Sequence, residues 1–230
     1  MQKLVLFDID GTILRSAGAG RRAITAALAE EIGPTVGLER VRFDGKTDPQ
    51  IVVELLEAAG HAGPHSKERV QALCARYVGL LEDELASTAG MRLLPGFPAI
   101  LDRLEETSGV VLGLLTGNLA RGAALKLSAV GVNPNRFRVG AFGSDSGHRP
   151  DLPAIATRRA APMFGRVPTG AEVVIIGDTP ADVACGRGIG ARALAVATGS
   201  YGLAELEASG AYAVFTDLAD IDAALAVIFA

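Results

Sequence analysis

An α/β protein built on a doubly wound parallel sheet, with a helical unit inserted behind its first strand, is the fold class this sequence predicts, and three observations predict it. Apolar runs at Leu4–Phe7, Val110–Leu115, Val173–Ile176 and Ala193–Val196 are continuous rather than alternating, as in strands buried on both faces of a parallel sheet. Helical patterns lie between them, at Leu119–Val130 and Ala181–Gly188, giving the strand–helix alternation of a sheet covered on both sides. From about Ala17 to Met91 that alternation stops, and the apolar spacing is helical throughout.

Taken in chain order, Leu4–Phe7 is the first strand, ended by Asp8 and Gly11. The helical unit follows in three stretches, Ala23–Ile32, Ile51–Ala59 and Val70–Leu85, with Asp48 as the expected N-cap and Pro49 at the first position of the second. Ser16–Gly20 on one side and Leu94–Gly96 on the other have linker composition. The expected division is therefore a core of residues 1–16 and 91–230 and a helical domain of residues 17–90. Val214–Phe215 and Ile221–Ile228 are expected to add a last strand and helix.

A chain of 230 residues with 49% hydrophobic composition can bury a full core. Its 22 basic and 26 acidic residues leave a net charge of −4, which gives no electrostatic reason to expect nucleic acid. Aromatics at 5% and the absence of Trp also argue against base-stacking platforms. Cys74 and Cys185 are far apart with no second pair, so they read as packing residues rather than a disulfide or zinc framework. The apolar run at the N-terminus is broken by Asp8 and is too short for a signal peptide or a membrane span. A soluble cytoplasmic protein without membrane partners is expected.

Three clusters at strand ends carry chemistry. Asp8 and Asp10 stand two apart after the first strand, so two carboxylates can converge on the crevice at the sheet's carboxyl edge; a plain Asp-Gly turn explains the same residues. Thr116-Gly117-Asn118 ends the second strand, offering a hydroxyl and backbone amides to an anion, with Asn118 also suited to cap the next helix. Gly177-Asp178-Thr179-Pro180-Ala181-Asp182 ends the third, with Thr179 as N-cap and Pro180 at the first helical position. Asp182 fits an ordinary helix start, whereas a carboxylate at Asp178 needs a cation or donor nearby. Oxygen donors without His or Cys point to a hard cation such as Mg²⁺.

The order and spacing of these clusters resemble the haloacid dehalogenase superfamily of hydrolases, in its phosphoglycolate phosphatase/phosphoglucomutase-like subgroup with a helical cap. Its motifs are Asp-x-Asp-Gly-Thr, a strand-end Thr or Ser, a Lys, and Gly-Asp-x-x-x-Asp. The match spans nearly the whole chain, and the helical insertion sits where the family's cap domain sits. The resemblance implies a Rossmann-like core and a Mg²⁺-dependent phosphatase acting on a small-molecule phosphate ester. Asp8 becomes the nucleophile that forms an aspartyl-phosphate, and Asp10 the general acid and then base. Gly11, Thr12, Thr116, Gly117 and Asn118 would bind the phosphate. Mg²⁺ would sit on Asp8, the Asp10 main-chain carbonyl and Asp178, with Asp182 behind them.

The sequence departs from the family where its lysine should stand. Gly143–Pro150 has none, and Arg149 occupies the position before Pro150. Arg supplies charge and a fork for phosphate oxygens, so Arg149 is expected to replace the lysine in catalysis and phosphate binding, although the two residues are not interchangeable. Lys126 is expected to face solvent on its helix, and His148 to be solvated. Lys46, in Phe43–Asp48, resembles a residue of the family's cap specificity loop and could close on substrate; a capped helix start explains the same run. Arg15, Arg21 and Arg22 could face the cleft or water. The second Asp argues against haloalkanoate and phosphonate chemistry. A sugar-phosphate mutase and a catalytically weak phosphate-binding module are the alternatives.

Overall fold

The computed structural model describes residues 2–34, 36–86 and 90–230. Its central sheet is formed by β1 (Lys3–Phe7), β4 (Val110–Thr116), β5 (Val139–Phe142), β6 (Val173–Gly177), β7 (Arg192–Val196) and β8 (Ala213–Phe215). These strands are all parallel, in the order β5-β4-β1-β6-β7-β8. β1 explains its own sequence. Leu4 and Leu6 face one apolar layer with Leu152, Ala156 and Ala160 of α6 (Leu152–Phe164). Val5 and Phe7 face the other, with Phe97, Ile100, Leu101 and Leu104 of α4 (Phe97–Glu106). With both faces covered, the strand is apolar from Leu4 to Phe7, and Lys3 at its start is accommodated by its ammonium donating to the Ala171 carbonyl at 2.8 Å. Phe7 meets Phe97 edge to face at 5.6 Å between ring centroids. The C-terminal α9 (Ile221–Phe229) adds Ala224 and Ile228 to the same layer.

The helices of the inserted stretch, α1 (Ala19–Ile32), α2 (Asp48–Ala58) and α3 (Lys67–Ala86), surround a separate apolar cluster that includes Ile24, Leu28, Leu55, Tyr77 and Leu81. At its neck, β2 (Leu14–Arg15) and β3 (Arg92–Leu93) pair antiparallel, tying the outgoing and returning chain side by side. The expected second linker, Leu94–Gly96, lies beyond this ribbon and leads into α4, so it is not a connection to the helical unit. The expected boundary near residue 90 adjoins residues 87–89, which lie outside the described residues. Between β4 and β5 runs α5 (Ala120–Ala129); α7 (Pro180–Cys185) follows β6, and α8 (Leu203–Ala208) follows β7. No described helix is long and apolar enough to cross a membrane.

Two caps differ from expectation. Thr47, not Asp48, caps α2, its hydroxyl accepting from Gln50 N–H, because the Asp48 carboxylate is drawn to the Leu119 amide at 2.8 Å. Asn118 does not cap α5, whose N-cap position is Leu119, because its side chain is spent on neighbouring polar groups. Thr179 caps α7 with Pro180 behind it as expected.

Candidate active site

β1 lies between β4 and β6, and the chain moves to one side of it for β4–β5 and to the other for β6–β8. This is a topological switch point, where a crevice opens at the carboxyl edge of the sheet. Asp8 leaves β1, Thr116 ends β4 and Asp178 leaves β6, all three buried. They border a cavity of about 480 Å³, lined also by Asp10, Arg149 and Lys126 and, from the helical unit, by Arg21, Phe43 and Tyr77.

Asp8 is fixed by its amide bond to the Ile176 carbonyl at 2.9 Å. Its Oδ1 lies 3.3 Å from Nη2 of Arg149. The same nitrogen donates to Asp182 Oδ1, and the other Asp182 oxygen accepts from the Thr179 amide at 3.0 Å and hydroxyl at 2.6 Å. Burial pushes the Asp8 carboxyl up to about 7, against the pull of Arg149 and the Thr116 hydroxyl, with Asp182 and Asp10 adding to the rise. Arg149 is buried, and its Nε has no hydrogen-bond partner among the described residues. The sequence expectation for Arg149 thus corresponds to a guanidinium between two buried carboxylates.

Asp10 has a different environment. Its side chain is 38% exposed, and Oδ2 accepts from Lys126 Nζ at 2.6 Å and Asn118 Nδ2 at 2.9 Å. Burial pushes its carboxyl up, but the Lys126 charge and the bonds from Lys126, Asn118 and Ser16 outweigh it and hold the group below the ordinary carboxylate range. Lys126 corrects the expectation of a solvated lysine: its side chain is 5% exposed. The signal was present in the helical spacing, since Lys126 follows Leu119, Gly122 and Ala123 by seven, four and three residues and so lies on the buried stripe of α5.

Asp8, Asp178 and Asp182 bring carboxylate oxygens within 4.8 Å of one another. Burial, with the charges of Asp182 and Asp8, raises Asp178 well above the usual range. Such crowding is unfavourable for anions and suits a hard cation. Both Asp182 oxygens are already engaged by Arg149 and Thr179, which leaves Asp8 and Asp178 as the carboxylates that fit Mg²⁺. Thr12 donates to Asp178 Oδ1 at 3.2 Å. Thr12 is therefore turned to the acidic cluster and away from the cavity, contrary to its expected phosphate contact. Gly11, at φ +85°, passes so close to Asp178 that a Cβ would lie 2.3 Å from its Oδ2. Its amide bonds the Leu14 carbonyl, so that donor too is turned from an anion.

The loop before α2 closes over the edge of the cavity. Asp48 N–H donates to the Gly117 carbonyl at 2.8 Å, Thr47 Oγ1 to the Gly147 carbonyl at 2.8 Å, and Ser200 Oγ to Asp44 at 2.9 Å. Gly117 is required here, because a Cβ would lie 2.0 Å from the Lys46 carbonyl oxygen. Lys46 borders the cavity, but its ammonium pairs with Glu54. Arg15 and Arg21 also line it, Arg21 lying 3.8 Å over the Phe43 ring, whereas Arg22 pairs with Glu84. His148 is exposed and bonded to Asp151, outside the cavity. Sequence reasoning missed Tyr77 and the Ser16 bond to Asp10, for which no local motif exists.

Residues 5–187 match the family model for haloacid dehalogenase-like hydrolases. The chain belongs to this family and is an enzyme of the hydrolase class. It is 27% identical over 228 residues to a phosphoglycolate phosphatase of Rhodospirillum rubrum, covering 96% of this chain and 90% of that one. It is 28% identical over 219 residues to a phosphoglycolate phosphatase of Caulobacter vibrioides, covering 94% and 88%. Its fold is shared with a hydrolase from Pseudomonas syringae, at a TM-score of 0.73 and 23% identity over 98% of both chains.

Proposed function

We propose that this hydrolase is a Mg²⁺-dependent phosphatase that cleaves a small-molecule phosphate monoester through an aspartyl-phosphate on Asp8. The observation that carries the reading is the convergence of Asp8, Asp10, Thr116, Arg149 and Asp178 on one cavity at the switch point. A volume of about 480 Å³ suits a small ester. The relatives named phosphoglycolate phosphatase make a phosphorylated hydroxy acid the first substrate to try.

In this reading the Asp8 carboxylate attacks phosphorus as the bond to the leaving oxygen breaks. Asp10, protonated in the substrate complex against the pull of Lys126 and Asn118, passes its proton to that oxygen and afterwards takes one from the water that hydrolyses the acyl phosphate; a positioned acid/base of this kind contributes about 10²–10⁴-fold. Thr116, with the backbone at Gly117 and Asn118, and Arg149 hold the phosphoryl oxygens. Asp8, Asp178 and the Asp10 carbonyl would hold Mg²⁺, which when bound would supply charge neutralisation for the approach of a carboxylate to a phosphate. Residues 17–90 act as a cap whose loop at Phe43–Asp48 limits water at the reacting centre, with Lys46 released from Glu54 to meet the substrate.

The test is release of inorganic phosphate, with Mg²⁺, from p-nitrophenyl phosphate and a panel of metabolite phosphates including phosphoglycolate, for wild type and Asp8→Asn. Turnover by wild type alone is expected. An active Asp8→Asn, or no turnover by wild type across the panel, would overturn the reading. Interconversion of phosphate isomers with little free phosphate would indicate a mutase instead.

A further inference from the structure

We infer that Lys126 is a positioning residue for proton transfer: with Asn118 it clamps Oδ2 of Asp10, fixing that carboxyl against the leaving oxygen, and the helical unit covers the lysine end of the clamp. The inference rests on the acid/base reading of Asp10 given above.

The clamp is a closed ring of three residues. Lys126 Nζ donates to Asp10 Oδ2 and to Asn118 Oδ1, each at 2.6 Å, and Asn118 Nδ2 donates to the same Asp10 oxygen at 2.9 Å. Asn118 Nδ2 also reaches Thr116 Oγ1 at 2.8 Å, so the ring is joined to the residue proposed to hold the phosphoryl group. Two groups that must be in register during transfer therefore share one bonded frame. Lys126 comes from a helix far along the chain, and its ammonium is buried at a cost that only good geometry offsets. An apolar residue on this stripe of α5 would pack without that cost, so stability alone does not explain a lysine there.

The roof of the ring comes from the helical unit. A methyl on Gly20 of α1 would lie 3.5 Å from Lys126 Nζ and 3.7 Å from the Tyr77 hydroxyl of α3. Leu81 of α3 stands close over Gly122 of α5, one turn before Lys126. The helical unit thus covers the Lys126 ammonium, whose side chain is 5% exposed, while Asp10, at 38%, stays open to the cavity where a substrate would sit.

A clamp on the proton donor has a signature that general damage lacks. When the P–O bond breaks, the proton of Asp10 goes to the departing oxygen; a nitrophenolate leaves without that help, whereas a phenolate needs it. We would compare kcat/KM for p-nitrophenyl phosphate and phenyl phosphate, with Mg²⁺, in wild type, Lys126→Met and Lys126→Gln. Lys126→Met is expected to lose less than about threefold on the nitrophenyl ester and more than about tenfold on the phenyl ester, within the range of acid catalysis. Lys126→Gln, which retains a donor, should recover part of the phenyl rate. Equal loss on both esters in both variants, or no loss on either, overturns the inference. Failure of wild type on both esters rejects the phosphatase reading itself. Should Lys126→Met not fold, the ester ratio in Lys126→Gln decides: a ratio equal to wild type counts against the clamp.

Discussion

Nη2 of Arg149 stands 3.3 Å from the Asp8 carboxylate while donating to Asp182, so one buried guanidinium neutralises the proposed nucleophile and is itself held by a carboxylate behind it. Asp182, bonded in turn by Thr179, fixes the arginine's approach. This arrangement accounts for how an arginine can stand where the family's pattern has a lysine: its longer fork is anchored at the Asp182 end.

Arg149→Ala leaves two buried carboxylates without their cation. Turnover of p-nitrophenyl phosphate should fall at least about 10²-fold, the scale of losing one donor to a transition-state charge. Stability should fall by roughly 3–5 kcal/mol, the cost of breaking a buried pair, as read by urea unfolding. Arg149→Lys should keep much of the activity. Wild-type turnover in the alanine variant would refute the role.

Mg²⁺ should stabilise the folded protein, because the Asp8–Asp178 cluster proposed to hold it exists only in the native state. Chelation should abolish turnover and added Mg²⁺ restore it. The melting temperature of wild type should rise with Mg²⁺, and that of Asp178→Asn should not. An equal rise in both would place the cation elsewhere.

Gly117→Ala places a methyl where the Lys46 carbonyl lies. The loop at Phe43–Asp48 should then lose its seat, and tryptic cleavage after Arg42 and Lys46 should accelerate several-fold. Turnover should fall with it. Unchanged cleavage and turnover would mean that the loop's seat on Gly117 is not needed.

Asp48 gives a pH prediction with a definite sign. Burial raises its carboxyl to about 6, above an unfolded value of 3.8, with Lys126 and the Leu119 amide only partly opposing. A raised acid favours the fold when protonated, so its contribution is present below about pH 4 and is lost as pH rises through 6. The loss amounts to roughly 3 kcal/mol at 1.36 kcal/mol per unit. Asp48→Asn should therefore gain stability relative to wild type between pH 4 and pH 7 in urea unfolding. A difference that does not change with pH would contradict the assignment.

Much of this was legible in the chain because the sheet writes itself as uninterrupted apolar runs and the acidic motifs fall at their ends. β5 was not, since Val139–Phe142 is a short strand interrupted by Gly140. α4 was not singled out either, although Phe97, Ile100, Leu101 and Leu104 keep helical spacing. Arg149 could be placed from its position before Pro150, a local signal. Lys126 reads as solvated because its charge masks its place on the apolar stripe of α5, and only the fold brings Asp10 to it. The capping expectations for Asp48 and Asn118 failed for one reason: each side chain found a partner distant in sequence, Leu119 and Asp10, that no local rule can supply.

The central claim is covalent, and trapping the intermediate tests it most directly. Enzyme quenched during turnover of p-nitrophenyl phosphate with Mg²⁺ and reduced with borohydride should carry homoserine at position 8, read by peptide mass mapping, and the same treatment without substrate should leave Asp8 intact. Rapid turnover with position 8 always recovered as aspartate, or homoserine found at Asp10 or Asp178 instead, would contradict the account.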